Sequence, residues 1–226
     1  MGTINYPYFL MYATGEKMNI TQIEGSYPQI PEPDLEKRKK FVEGWDAAPE
    51  RFKKWFMEWE PRQHPSIEAS INIADWNETM HYVDDAIGTC AFLSSFRGQF
   101  GGRPPYHIYN LPIFISLATD LKLDSDELWK IAARNRNLIR AINVRRGLRR
   151  SDEKPPADHW KQRDPETEQK TLDAYYEFKG WNNEGIPTKE TLHDLSLDYV
   201  YEDFVKRGIV TDSEDVHYKN AALEKK

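Results

Sequence analysis

Asp124-Ser125-Asp126-Glu127-Leu128, continuing through Ile131-Ala132 and Leu138-Ile139 to Arg145-Arg146-Gly147, is the stretch that decides the fold class. Asp124 or Ser125 offers a side-chain oxygen to the unpaired N–H groups of a helix start. Asp126 and Glu127 complement its positive end, and Gly147 stops the run. Leu128, Ile131, Ala132, Leu138, Ile139 and Ile142 recur at helical spacing and predict one buried stripe. Arginines crowd the C-terminal half, where the dipole favours cations. A helix over 125–146 follows.

The same signals repeat outward. Downstream, a polar, Pro-rich loop precedes a helix over 166–179 stopped by Gly180. Pro187-Thr188 then opens a helical pair ending near Arg207-Gly208, and 211–226 reads as a frayed tail. Upstream, helices are expected over 112–121 and about 75–86, where Trp76, Met80, Val83 and Ile87 recur and Gly88 closes the run. The Gly- and Pro-rich stretch from Arg97 to Pro105 between them must be a loop. Asp34 caps a charged helix over 35–45. Another begins at Pro49 and sets Phe52, Trp55, Phe56 and Trp59 on one face, read as packing or interface.

Pro7, Gly15, Gly25, Pro28, Pro31 and Pro33 make residues 1–33 an extended arm or a connection, with at most a short helix or strand. No internal repeat and no alternating strand pattern is present. The expected fold is therefore mainly α, with a helical body over 34–210 between the arm and the tail.

The 226 residues, 39% hydrophobic and 30% charged, suit one globular domain. A net charge of −6 argues against general nucleic-acid binding. The N-terminus lacks the features of a signal peptide, and no apolar run is long enough for a membrane span, so a cytoplasmic location is expected. Cys90 is the single cysteine, which excludes an intrachain disulfide framework and any self-contained thiolate metal site.

Asp85-Ala86-Ile87-Gly88-Thr89-Cys90 has the form D-x-x-G-x-C at a helix end and resembles a cofactor motif of the aldehyde ferredoxin oxidoreductase family. An ordered set at similar spacing follows: Asn143 to Asp152, Pro155-Pro156, Trp160, Tyr175-Tyr176, Gly180-Trp181 and Gly185-Ile186-Pro187-Thr188. Together these resemble the family's irregular, helical C-terminal domain. Within the family the likeness is closest to the catalytic subunit of class II benzoyl-coenzyme A reductase. It is carried by Thr14-Gly15-Glu16-Lys17 with Ile20 to Gly25, by Met80 to Asp85, and by Pro104 to Ile108.

The resemblance implies a tungsten bis-pterin cofactor, with magnesium at the pterin phosphates, and a [4Fe-4S] cluster held by three closely spaced cysteines and one remote one. Cys90 stands at the remote position. The three-cysteine run and the pterin-supporting N-terminal domain are missing, which implies a fragment or a split gene whose partner carries them. It also implies an iron–sulfur electron-transfer subunit as partner and a coenzyme A thioester as substrate. The expected activity is reduction of benzoyl-CoA to a cyclic dienoyl-CoA. Aldehyde oxidation by the same cofactors, and a non-catalytic helical interaction domain, stay open as alternatives.

Each residue so implied also has a plainer reading. Cys90 is a cluster ligand or a buried free thiol. Asp85 accepts from the pterin's amino and ring N–H groups or is a solvated helix carboxylate, with Asp84 its solvated neighbour. Gly88 allows close backbone approach, and Thr89 offers a backbone N–H or is a turn residue. His81, four residues before Asp85, relays protons or is structurally satisfied; His107, in a Pro-bounded loop, lines a channel or does not. Arg145, Arg146, Arg149 and Arg150 pair with pterin or coenzyme A phosphates, or are surface charges complementing the dipole.

Overall fold

The structure, a computed structural model, describes residues 6–15, 34–43, 50–58, 66–88, 106–153 and 164–211. Among these residues it is helical without a named strand, and Trp181 and Pro187 form an isolated antiparallel bridge. The expected mainly α class is what the chain adopts.

The expected helices carry side-chain caps. Helix α6 (Ser125–Arg145) starts with a reciprocal pair in which Asp124 Oδ1 accepts from the Glu127 N–H at 2.9 Å and Glu127 Oε2 from the Asp124 N–H. Asp164 caps α7 (Pro165–Lys179), which ends at Gly180, and Thr188 caps α8 (Lys189–Asp194), which turns into α9 (Asp198–Lys206).

Other boundaries differ from expectation. Helix α4 (Ile67–Ile87) begins two turns before Asp75, because Ser66 Oγ accepts from the Ala69 N–H at 3.1 Å, while Asp75 is buried inside the helix. Helix α5 (Tyr106–Thr119) begins before Pro112 and carries that proline inside it, so His107 is helical, not part of a loop. A proline's φ suits a helix, and its cost is one backbone bond and local crowding. Within the stretch expected as an arm, Tyr6–Thr14 is helix α1, and Phe9 and Leu10 are fully buried. Helices α2 (Leu35–Glu43) and α3 (Glu50–Glu58) lie where expected. The side chains of Phe52, Trp55 and Phe56, Trp59 itself, and residues 212–226 lie outside the described residues.

Helix α6 is the spine, with three apolar clusters placed around it. Its N-terminal half, through Leu128 and Ala132, packs on Tyr82 and Val83 of α4, with Leu111 and Ile115 of α5 alongside. Its C-terminal half, through Ala141 and Val144, packs on α8 and α9 around Leu192 and Phe204. A third cluster joins Phe9 and Leu10 of α1 to Ile71 and Ala74 of α4 and to Leu172, Tyr175, Tyr176 and Trp181. Ile142, expected in the stripe, is 41% exposed; Val144 takes the buried place. On α5, Ile113, Phe114 and Leu117 stand exposed, with Leu121 just beyond.

Candidate functional site

The C-terminal end of α4 presents the predicted motif. Gly88 caps the helix in the left-handed region (φ 72°, ψ 26°), its N–H reaching the carbonyls of Asp84 and Asp85. A side chain is costly at such a φ, and a Cβ built there would meet no described atom within 4 Å. Glycine is therefore favoured by the turn, and among the described residues nothing crowds it. Asp85 is exposed beside it. Asp84, expected to be the solvated one, is 1% exposed, a correction caused by its place on the α4 face turned inward with Val83. His81 is buried one turn earlier. Thr89 and Cys90 lie outside the described residues, as does the side chain of His107.

The arginines sit elsewhere. Tyr82 and Val83 of α4 lie level with Leu128 and Ala132 of α6, and Glu78 faces Arg136, so the two helices run antiparallel. Asp85 is thus near the start of α6 and Arg146 at its far end, on the order of 27 Å along the axis at 1.5 Å per residue. Arg145 pairs with Asp203 at 3.4 Å. Arg149 donates through Nη1 to the carbonyls of Val144 and Leu148 at 3.0 and 2.7 Å, capping the helix. Arg150 pairs with Asp173 at 2.6 Å and lies over the Tyr176 ring. Arg146 makes no side-chain hydrogen bond or ion pair among the described residues. The Asp85 and arginine groups therefore do not converge on one point.

Between the two ends lies a buried charged centre that the sequence pattern did not single out. Arg136 and Arg140 are 2% and 0% exposed, not surface charges. Arg136 Nε faces Glu78 Oε1 at 3.3 Å, and its Nη2 donates to the Thr14 carbonyl at 2.8 Å. Lys179 Nζ bridges Asp75 at 2.7 Å and Glu78 at 2.6 Å; Arg51 also pairs with Asp75, and the Tyr175 hydroxyl donates to Glu78. Arg140 pairs with Glu153, which also accepts from the Tyr176 hydroxyl, and donates through Nε to the Gly185 carbonyl at 2.7 Å. The Trp181 ring lies against both guanidiniums, its centroid 4.8 Å from Arg136 and 4.3 Å from Arg140, and its indole N–H donates to Asn137 at 2.8 Å. Gly185, at φ 74°, has no room for a Cβ beside Arg140 and Tyr176.

Electrostatics follow the geometry. Burial alone would raise the Asp75 carboxyl, but Lys179 and Arg51 outweigh it and hold the group at about 2. Glu78 is also lowered: burial opposes this, and Lys179 and Arg136 prevail. Burial lowers the Lys179 ammonium, but Asp75 and Glu78 more than compensate and leave it raised. Burial and the Glu78 charge push the Tyr175 hydroxyl up. The centre is a set of paired buried ions that ties α1, α4, α6 and α7 together.

Beside Arg146 is an open cleft of about 510 Å³, lined by Thr14 and Gly15 at the end of α1, by Asn143, Arg146, Gly147 and Leu148 at the α6 terminus, and by Asp152 and Glu153. No helix of the described residues is long and apolar enough to cross a membrane.

These positions can be set against known proteins. A family model described as aldehyde ferredoxin oxidoreductase, domains 2 and 3, matches residues 5–197. The chain belongs to the aldehyde ferredoxin oxidoreductase family. A solved structure titled "Active site complex BamBC of Benzoyl Coenzyme A reductase in complex with 1,5 Dienoyl-CoA" contains a chain 54% identical to this one, with a TM-score of 0.79. The match covers 93% of this chain and 33% of that one, so this chain spans about a third of the solved chain's length. None of the curated proteins matches.

The family implies a metal–pterin oxidoreductase, and the residues present fit one edge of such a site. An exposed carboxylate at Asp85 suits a heterocycle rich in N–H donors, and Gly88 adds no side chain beside it. Among the described residues no group of three or more His, Cys, Asp or Glu side chains could hold a metal ion. One thiol, Cys90, serves at most one ligand position of a four-cysteine cluster.

Proposed function

We propose that this chain is the C-terminal, cofactor-covering part of a tungsten- and pterin-dependent reductase that converts benzoyl-CoA to a cyclic dienoyl-CoA. The observation that supports it most is the 54% identity over 93% of the chain to a component of a benzoyl-CoA reductase active-site complex. The cofactor, when bound, supplies the low-potential electron chemistry; the protein binds, orients and shields.

Asp85 accepts from the pterin's amino and ring N–H groups, and Gly88 and Thr89 bring the backbone against it. His81, buried a turn before Asp85, holds a proton on its imidazole for delivery toward the reduced ring. Cys90 gives its thiolate to a [4Fe-4S] cluster whose other three cysteines come from the polypeptide this chain does not contain. That polypeptide is either the preceding part of the same protein or a separate subunit. Electrons come from an iron–sulfur partner subunit, and the assembly is cytoplasmic. The exposed apolar face of α5 is consistent with surface that a larger assembly covers.

The test is to assay the native assembly with benzoyl-CoA and with simple aldehydes, alongside tungsten and iron analysis. Turnover of benzoyl-CoA with both metals present is expected. Turnover of aldehydes alone would move the assignment to aldehyde oxidation, and absence of both metals would leave an interaction role. Cys90→Ser should lower iron content, and an unchanged iron content would remove the ligand assignment.

A further inference from the structure

We infer that the cleft at the C-terminal end of α6 holds the nucleotide end of the coenzyme A thioester, with Arg146 on a phosphate. This rests on the thioester substrate proposed above. The cleft's volume, about 510 Å³, lies within the range of small-molecule sites. Its charges are unequal in availability. Glu153 is engaged by Arg140 and Tyr176, and Asp152 accepts from the Arg149 backbone N–H at 2.8 Å. Arg149 covers the Val144 carbonyl in the last turn of α6 and the Leu148 carbonyl just beyond it, and its charge offsets the negative helix end that would repel an anion. Arg146 is left as the lining cation whose guanidinium has no partner among the described residues, and a guanidinium binds phosphate oxygens bidentately.

Asn143 lines the same cleft three residues earlier, on the same helix face, and its amide also has no side-chain hydrogen bond among the described residues. An amide that donates and accepts suits a nucleoside base or ribose. The phosphate of the pterin is a second possible source of this chemistry. Placement favours coenzyme A: Asp85 lies near the opposite end of α6, a pterin carries its phosphate a few bonds from its ring, and coenzyme A carries its phosphates at the far end of a long pantetheine arm.

The experiment compares wild type, Arg146→Ala, Arg146→Lys and the surface control Lys170→Ala in the complete assembly. Arg146→Ala should raise the KM for benzoyl-CoA about tenfold, the usual scale for one charge-assisted hydrogen bond. It should weaken inhibition by adenosine 3',5'-bisphosphate to a similar extent, with partial recovery in Arg146→Lys and wild-type tungsten and pterin content throughout. Unchanged KM and inhibition would overturn the assignment, and so would a fall in pterin content, which would give Arg146 to the pterin phosphate. An assembly that does not reduce benzoyl-CoA yet binds the bisphosphate through Arg146 would refute the reductase reading while keeping the cleft.

Discussion

The buried centre between α4, α6 and α7 and the open end of α4 carry the same kinds of side chain to different ends. In the centre, Asp75, Glu78 and Glu153 meet Arg51, Arg136, Arg140 and Lys179, and the aromatic rings of Tyr176 and Trp181 complete the packing. At the end of α4, Asp85 and Gly88 are exposed. A buried ion is tolerated only when paired, so acids and bases in the centre act on stability. An exposed carboxylate beside a left-handed glycine adds little to stability, so its effect should fall on what binds there.

The largest test of this difference is Glu153→Ala. It strands the buried Arg140 guanidinium and should cost about 3–5 kcal/mol in denaturant unfolding, whereas Asp85→Ala should stay within about 0.5 kcal/mol. Equal costs would erase the distinction. Trp181→Ala belongs with the first, at about 3–5 kcal/mol from lost packing. Gly185→Ala should exceed Gly88→Ala. Both substitutions meet a positive φ, worth about 1–2 kcal/mol, but only Gly185 also crowds Arg140 and Tyr176.

The pH dependence should separate the regions next. Asp75 is held below its ordinary 3.8 at about 2, so its contribution is complete above about pH 4 and is lost as pH falls toward 2. The amount at stake is about 2 kcal/mol. Asp75→Asn should flatten acid unfolding in that window and lower stability at neutral pH. The raised Lys179 acts oppositely: its contribution is full at neutral pH and fades only above pH 10.5. At the small end, His193 pairs with Asp198 at 2.7 Å on the open surface, so His193→Ala should leave the melting temperature within scatter.

Much of the fold was legible because its signals are local. Asp124 with Glu127, Gly180, and Thr188 are decided within a few residues, and each bounds a helix that was expected. The centre was not legible because its partners are remote: Arg136 meets Glu78, and Tyr175 meets a residue 97 positions away. One signal was present. Leu128, Ala132, Arg136, Arg140 and Val144 stand four apart, an inward row with two arginines in its middle, where the simpler apolar pattern chose Ile142. The start of α4 was missed for a related reason: the recurrence of Trp76, Met80, Val83 and Ile87 set the boundary at about residue 75, whereas Asp75 is buried inside the helix beside Lys179. For the candidate site, the D-x-x-G-x-C pattern located Asp85 and Gly88 at a helix end as expected. What the linear sequence hid is that Arg146 stands at the other end of α6.

The most direct test of the division between a stabilising centre and a cofactor-facing edge is the pterin and tungsten content of the complete assembly carrying Asp85→Ala. A marked loss of both, with an unfolding midpoint matching wild type, is the predicted result. Full pterin and tungsten occupancy in that variant would contradict it.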